Sequence, residues 1–444
     1  MTIRPPSAAG LAGFAGWKAL RHRNYRLFFA GQLVSLVGTW MQSVAQSWLV
    51  LQLTGDPLAL GLVAAVQFTP VLILGLFGGL IADAAPKRRT LIATQTAAML
   101  LAFVLFGLTA VNVVQVWHVL LLALGLGIVN SVDMPTRQAF AVEMVGREDI
   151  GNAVALNSAM FNGARIIGPA VAGLAIGAFG VSTAFLINGL SFMAVIGGLF
   201  LMNDRELHSP PRMARPSSVR GVIHNMGEGL RYVWRTPTVL LAMSVVGLVS
   251  TFGMNFSVLM PPFARDLLHQ DASGYGFLMA AMGVGSLTAA LAIAFSGRTG
   301  PRIIGAGALV LGLAEVVLGG TQSFPLALGA MFVGGLGGIA MAATANTVIQ
   351  LTVPDQLRGR VMSVYTTVFA GSTPFGGLII GALASGVGVA FAMTFGGVVS
   401  ALIGLGGLVW INRIRQRPPA IVRRRTVEGA EAASMSVGRV GRSQ

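Results

Sequence analysis

Apolar runs of about 20 residues recur along this chain, each long enough to cross the hydrocarbon core of a bilayer as a helix. No other feature constrains the fold as tightly. In lipid a backbone must satisfy its own polar groups, so each run reads as an α-helix. Hydrophobic residues make up 54% of the 444 residues and charged ones only 10%, too little charge to clothe a soluble fold of that size. Runs and polar breaks place helices near 27–52, 58–82, 90–112, 116–134, 153–177 and 182–202. After a polar stretch, six more fall near 238–262, 274–296, 303–320, 324–350, 361–386 and 389–411. The expected fold is an all-α membrane protein with 12 transmembrane helices.

With an even number of spans, both termini lie on one side. If that side is the cytoplasm, all 30 lysines and arginines except Arg165 and Arg265 fall on cytoplasmic segments. The net charge of +15 therefore reads as the positive-inside signal and excludes a nucleic-acid footprint; the lipid bilayer, anionic headgroups included, is the partner it suits. Residues 1–26 form a basic cytoplasmic segment with no apolar core before a small-residue cleavage site, so no removable signal peptide is expected. Residues 203–237 read as a cytoplasmic central loop between bundles at 27–202 and 238–411, and 412–444 as a polar, disordered tail. The chain has no cysteine, which excludes disulfides, thiolate metal sites and cysteine nucleophiles. No metal or other cofactor is expected. No Ser/His/Asp set, HExxH motif or nucleotide loop suggests an enzyme.

The halves resemble each other. "VGREDIGNAVALNSAMFNGARIIGPAVAGLAIGAFG" in the first half finds an echo in "VPDQLRGRVMSVYTTVFAGSTPFGGLIIGALASGVG" in the second. Each has an acidic loop, a helix start, a proline beside small residues and then Gly-x-x-x-Gly-like packing. Both copies run in the same direction after six spans, giving a parallel repeat about a pseudo-two-fold axis. Such duplication is the build of alternating-access transporters, with the site between the halves.

Polar residues inside spans mark candidate sites. In the first span Gln32, Ser35, Thr39, Gln42, Ser43 and Gln46 recur at helical spacing. That stripe is either glue between helices or the wall of a cavity, and the cavity wall is the expectation. In the fifth, Ser158, Asn162 and Arg165 share a face, while Ala164, Gly168 and Ala172 form a neighbouring stripe that admits a close partner. Pro169 lacks the N–H that would bond the carbonyl of residue 165, so the frayed carbonyl and the charge belong to one residue. An arginine at mid-span costs about 3 kcal/mol on insertion scales and faces a cavity or a partner. Arg165 is thus a buried strut or a contact for an anionic or electron-rich substrate. Asp133 and Arg137, four apart at the end of the fourth span, can pair on one helical face. Glu315, in the ninth, is the other buried charge and, with Asp133, a candidate proton carrier.

The stretch "GGLIADAAPKRRTL" between the second and third spans resembles the loop signature of the major facilitator superfamily, with Gly79, Asp83, Lys87 and Arg88 in its places. Pro86 stands where the pattern prefers glycine, and the second-half loop, "FSGRTGPRII", has no acid. The resemblance implies that Asp83 faces the N-terminus of the eleventh helix, a favourable site for a carboxylate, and that Asp133 joins Asp83 and Lys87 in a cytoplasmic charge network. It also places the first helix along the cavity. Gly168, Pro169 and Gly173 resemble the fifth-helix motif of the superfamily's antiporters, with Ala164 and Ala172 replacing glycines. "LRHRNYRLFFAGQLVSLVGTWMQSVAQSWLVLQLTGDPLALGLV", "PTRQAF" and "FLINGLSF" extend the likeness to the exporter branch that includes enterobactin and drug–proton antiporters. The implied protein is a monomeric exporter of a small amphiphilic or drug-like molecule in a bacterial inner membrane, driven by proton antiport. A siderophore or lysophospholipid transporter is the alternative within transport. A non-transporting sensor or scaffold is the rival from another class, and predicts that Gln42→Leu and Gln46→Leu are tolerated.

Overall fold

The turn between the first two spans shows how the chain stops and restarts a helix at the membrane edge. Gly55 adopts φ 65°, and its N–H closes the first helix on the Leu51 carbonyl at 2.8 Å. Asp56 then accepts from the Leu58 N–H at 2.9 Å, and Pro57 opens the next helix. Glycine past the end, an acidic cap and proline in the first turn use the asymmetry of helix termini.

The computed structural model describes residues 15–208, 219–297 and 299–416, side chains at 76–84 and at a few positions beside the gaps excepted. The first bundle comprises α1 (Arg23–Thr54), α2 (Pro57–Ala84), α3 (Lys87–Ala110), α4 (Val116–Val145), α5 (Ile150–Phe179) and α6 (Val181–Phe200). A connecting helix, α7 (Val219–Arg235), leads to α8 (Pro237–Phe252), α9 (Phe256–Pro262), α10 (Ala272–Ser296), α11 (Pro301–Gly320), α12 (Phe324–Thr352), α13 (Asp355–Val387) and α14 (Val389–Gln416). Twelve helical segments are long and apolar enough to span a bilayer, and no strand occurs among the described residues.

Three features depart from the apolar-run reading. Helix α4 runs on to Val145, because its last turns, though polar, keep their helical hydrogen bonds and pair their charges. Where the composition suggests a loop, Val219–Arg235 form α7, an amphipathic helix that lies on α13: Gly229 meets the Arg360 carbonyl, and Glu228 pairs with Arg360. The seventh span is two helices. Residues Gly253–Asn255 leave the helix, the Asn255 amide donates to the Thr251 carbonyl at 2.7 Å, and α9 ends at Pro261 and Pro262 in a π-turn, Phe263–Leu267. Prolines without an N–H free the carbonyls that such a turn must accommodate.

Packing reveals the repeat. In the first bundle α2 packs on α4, α3 on α6 and on α4, and α1 on α5 and α6. The second repeats each pair: α10 on α12, α11 on α14 and on α12, and α8 on α13 and α14. Exchanging the bundles also converts the contact of α5 with α10 into that of α13 with α2, the two principal seams between the halves. The chain is thus two six-helix bundles related by a pseudo-two-fold axis, the major facilitator fold.

Candidate functional site

Both seams are built where small residues let backbones touch. A side chain on Gly61 of α2 would stand 2.1 Å from the Gly377 carbonyl of α13, and one on Gly381 would stand 3.0 Å from the Pro57 carbonyl. In the other seam, a Cβ on Gly173 would meet the Ala272 carbonyl at 2.9 Å, and one on Gly276 the Pro169 carbonyl at 2.5 Å. Ser273 Oγ donates to the Gly173 carbonyl at 3.1 Å. Gly168 instead faces its own bundle, 2.4 Å from Trp40 Cβ on α1. Gly168, Pro169 and Gly173 therefore fasten α5 to α1 on one side and to α10 on the other.

These contacts lie away from the face that carries the termini. On the opposite, far face, Trp48 stacks on Tyr275 at 6.1 Å, Arg265 donates to the Leu51 carbonyl at 3.3 Å, and α9 packs on α1 and α2. The α5·α10 seam reaches as far as Gly283, where a Cβ would meet Ile166 at 2.8 Å and the Arg165 carbonyl at 3.1 Å. Nearer the terminal face, α10 turns to its own bundle, with Ser286 Oγ donating to the Gly335 carbonyl. There α5 carries exposed residues, Val154, Ser158 and Phe161 among them.

Arg165 stands at the level where the halves part. Its carbonyl, freed by Pro169, faces α10, and its guanidinium lies 5.8 Å from the centre of the Trp40 ring. Trp40 in turn meets Phe161 edge-on at 5.7 Å. Arg165 Nε is buried without a hydrogen-bond partner. Asn162, one turn away, donates to the Ser158 carbonyl.

The polar stripe of α1 divides. Gln42 accepts from Asn188 of α6 at 2.6 Å and Gln46 donates to Gln67 of α2 at 3.1 Å, so both tie helices of one bundle together. Gln32 and Ser35 are buried, with Gln32 Oε1 unpartnered. Thr39 and Ser43 are exposed, Thr39 bonding back to the Ser35 carbonyl.

Charges on the terminal face form separate pairs. Asp133, buried, accepts from Thr94 Oγ1 at 2.7 Å and Gln95 Nε2 at 2.8 Å and pairs with Arg137. Lys87 pairs with Glu143 at 2.6 Å. Arg88 caps the end of α6 through the Leu199 and Phe200 carbonyls and reaches Asp204 at 2.6 Å. Among the described residues no direct bond joins Asp133 to Lys87. The side chain of Asp83 and the surroundings of Gly79 lie outside the described residues. Glu143 and Asp204, the partners of the two basic loop residues, carry no local signal; only the fold brings them there.

Within the second bundle, Glu315 of α11 is 3% exposed and Ser400 of α14 is 0% exposed, and Glu315 Oε2 and Ser400 Oγ both lack partners. Both abut Gly253 at the break of the seventh span.

A family model described as transmembrane secretion effector, a major facilitator type, matches residues 14–418. The chain belongs to that family. Among characterised members, the multidrug efflux pump Tap of Mycolicibacterium fortuitum is 30% identical over 378 residues, covering 82% of this chain and 90% of Tap. The enterobactin exporter EntS of Shigella boydii is 23% identical, covering 90% and 95% respectively. Among solved structures, an inward-facing bacterial homolog of the human lysosomal transporter Spinster superposes with a TM-score of 0.64 at 15% identity, covering 88% of this chain and 96% of that one. This member of the family is therefore a multi-pass transporter of small molecules and not an enzyme.

Proposed function

We propose that the protein is a secondary active exporter of an acidic or electron-rich amphiphile, working by alternating access and driven by proton antiport across a bacterial inner membrane. The position of Arg165 carries this reading. Its guanidinium lies against the Trp40 ring, which meets Phe161 edge-on, its Nε has no partner among the described residues, and it stands at the level where the bundles separate. A ligand there would bring apolar surface to Trp40 and Phe161 and electron density to the guanidinium. With the terminal face assigned to the cytoplasm by its excess of lysine and arginine, the separated side opens where an exporter loads. The same charge favours, as a second reading within transport, a siderophore or lysophospholipid cargo. Both bundles belong to one chain, so the reading takes the working unit to be a monomer.

For the coupling ion, Asp133 is a poor carrier, since it is enclosed by Thr94, Gln95 and Arg137. Glu315 is free of such partners and remains as the candidate.

The test is transport by purified protein in proteoliposomes under an imposed pH gradient, with amphiphilic drugs, acidic iron chelators and lysophospholipids as cargo. Substrate-dependent proton flux is expected, and Arg165→Gln should raise KM at least about tenfold for acidic cargo, since a charge-assisted hydrogen bond contributes about 1.5–3 kcal/mol. Absence of flux with every compound that stabilises the fold would sink the antiport reading. Unchanged KM in Arg165→Gln would remove the arginine from recognition.

A further inference from the structure

Glu315 is unusual in the company it keeps. Its Oε2 lies 3.1 Å from the point where a Gly253 side chain would stand, and Ser400 Oγ lies 2.3 Å from the same point. A carboxyl group and a hydroxyl group, both buried and neither with a partner, thus converge on the three residues where the seventh span leaves the helix. Among the described residues no cation faces them. Helices α8, α9 and α12 contain no titratable residue, and those of α11 and α14 other than Glu315, Arg302 and the arginines from Arg413 on, stand at the terminal ends.

The matching place in the first bundle is built differently. There a Cβ on Gly38 of α1 would stand 2.5 Å from Ser191 Oγ and 2.6 Å from Asn188 Oδ1. Glycine faces serine and a second polar group, as in the other half. But Asn188 donates to Gln42, Ser191 donates to the Asn188 carbonyl, and α1 runs unbroken from Arg23 to Thr54. One copy is neutral, satisfied and straight. The other has an acid, lacks partners and is broken.

What the acid binds follows from the space around it. A Cβ on Gly397 would lie 2.8 Å from Glu315 Cβ, and one on Gly312 would lie 2.4 Å from the Ala401 nitrogen. Backbones this close leave no room for a metal cation with its shell of oxygens. A proton needs none: it neutralises the buried carboxylate and turns it into an O–H donor without enlarging the site. Without the proton, an uncompensated carboxylate would be left among apolar neighbours.

We infer that Glu315 binds the transported proton and thereby controls a hinge at Gly253–Asn255. Protonated, the carboxyl keeps the break packed, and α9 stays docked on α1 and α2, closing the far face. Deprotonated, the carboxylate draws water into the break, α9 swings away and the far face opens. That order suits antiport, since the protonated carrier then faces the side that loads cargo and the deprotonated carrier the side that releases it. The identity of the bound proton as the coupling ion rests on the antiport reading above; the hinge does not.

The absence of native cysteine makes the test direct. Nitroxide labels on Gln52→Cys, at the far end of α1, and His269→Cys, just after α9, report the distance across the far seam in liposomes. A single short distance is expected in acid buffer, with a longer population appearing in alkaline buffer. Glu315→Gln, the neutral isostere, should hold the short distance in both. A pH-independent distance in the parent, or a Glu315→Gln variant that still responds, would each overturn the hinge. Proton flux in proteoliposomes separates the two claims. A hinge that responds without substrate-dependent flux refutes only the antiport reading, whereas undiminished flux in Glu315→Gln refutes only the assignment of the proton to this site.

Discussion

Gly61→Ala is the smallest change that should alter which side of the protein is open. The new methyl would stand 2.1 Å from the Gly377 carbonyl, against 3.4 Å for ordinary contact, so α2 and α13 must part by about 1.3 Å. The obstacle is backbone on a rigid helix, and no side chain can rotate away to admit it. Overpacking of this kind costs about 1–3 kcal/mol. Because α2 and α13 belong to different bundles, the strain vanishes once the seam opens. The variant should therefore open the far face and leave both bundles folded, with the closed-to-open ratio falling about 5- to 150-fold.

The assay is the spin-label distance across the far seam (Gln52→Cys with His269→Cys), paired with one across the terminal face (Arg147→Cys with Gln356→Cys). The first should lengthen as the second shortens. Gly75→Ala is the control: it lies on the same helix, but nothing stands within 4 Å of the new methyl. Any effect of helix propensity would appear equally in both variants, at up to about 1 kcal/mol, whereas a steric wedge acts only at Gly61. If Gly61→Ala keeps the far face closed, or shifts the two distances no more than Gly75→Ala does, the seam is not what holds this state.

Other variants test the remaining parts. Asp133→Asn sets an amide against three donors and strands Arg137, so it should lower stability in detergent by about 3 kcal/mol, the low end for a broken buried pair because Arg137 keeps some access to water; an unchanged unfolding midpoint would contradict this. Gln42→Leu deprives Asn188 of its acceptor and should cost about 0.6–1.7 kcal/mol, the range for interhelical hydrogen bonds in membranes, measured by the same unfolding. Gln42→Leu should also leave KM for any transported cargo unchanged, because Gln42 is turned to α6; a raised KM would return that glutamine to the cavity wall.

How much of this could be read in advance depends on how local its cause is. Length and hydropathy are local, so the spans were legible to within a few residues, except where the helix outlasts its apolar run, as at α4 and α13. The repeat was legible because duplicated packing leaves duplicated glycines, and Pro169 and Pro374 mark corresponding helices. The fate of the polar stripe was not legible. Whether Gln42 faces a cavity or Asn188 depends on a helix 146 residues away, and helical spacing alone cannot rank glue against lining. Lys87 and Arg88 showed their charge, while Glu143 and Asp204 needed the fold to bring them near.

The break in the seventh span belongs to this second kind, and it explains why a duplicated transporter can still be asymmetric. The two seams are equivalent and both lie on the far face, and exchanging parallel repeats maps each face onto itself, so symmetry makes the seams open and close together. Some element must make closure depend on cargo and ion. In the first bundle the serine opposite Gly38 is satisfied and α1 is continuous, so that half has no comparable break. In the second, the glycine opposite Ser400 lies in a broken span, and a lone acid from α11 stands beside it where the first bundle has an amide of α6. Helix α9, the piece beyond the break, is also the part of that span that packs on α1 and α2 of the other bundle. Symmetry supplies two seams that close the same face, and its local failure at Gly253, Glu315 and Ser400 supplies the proposed means of releasing them together.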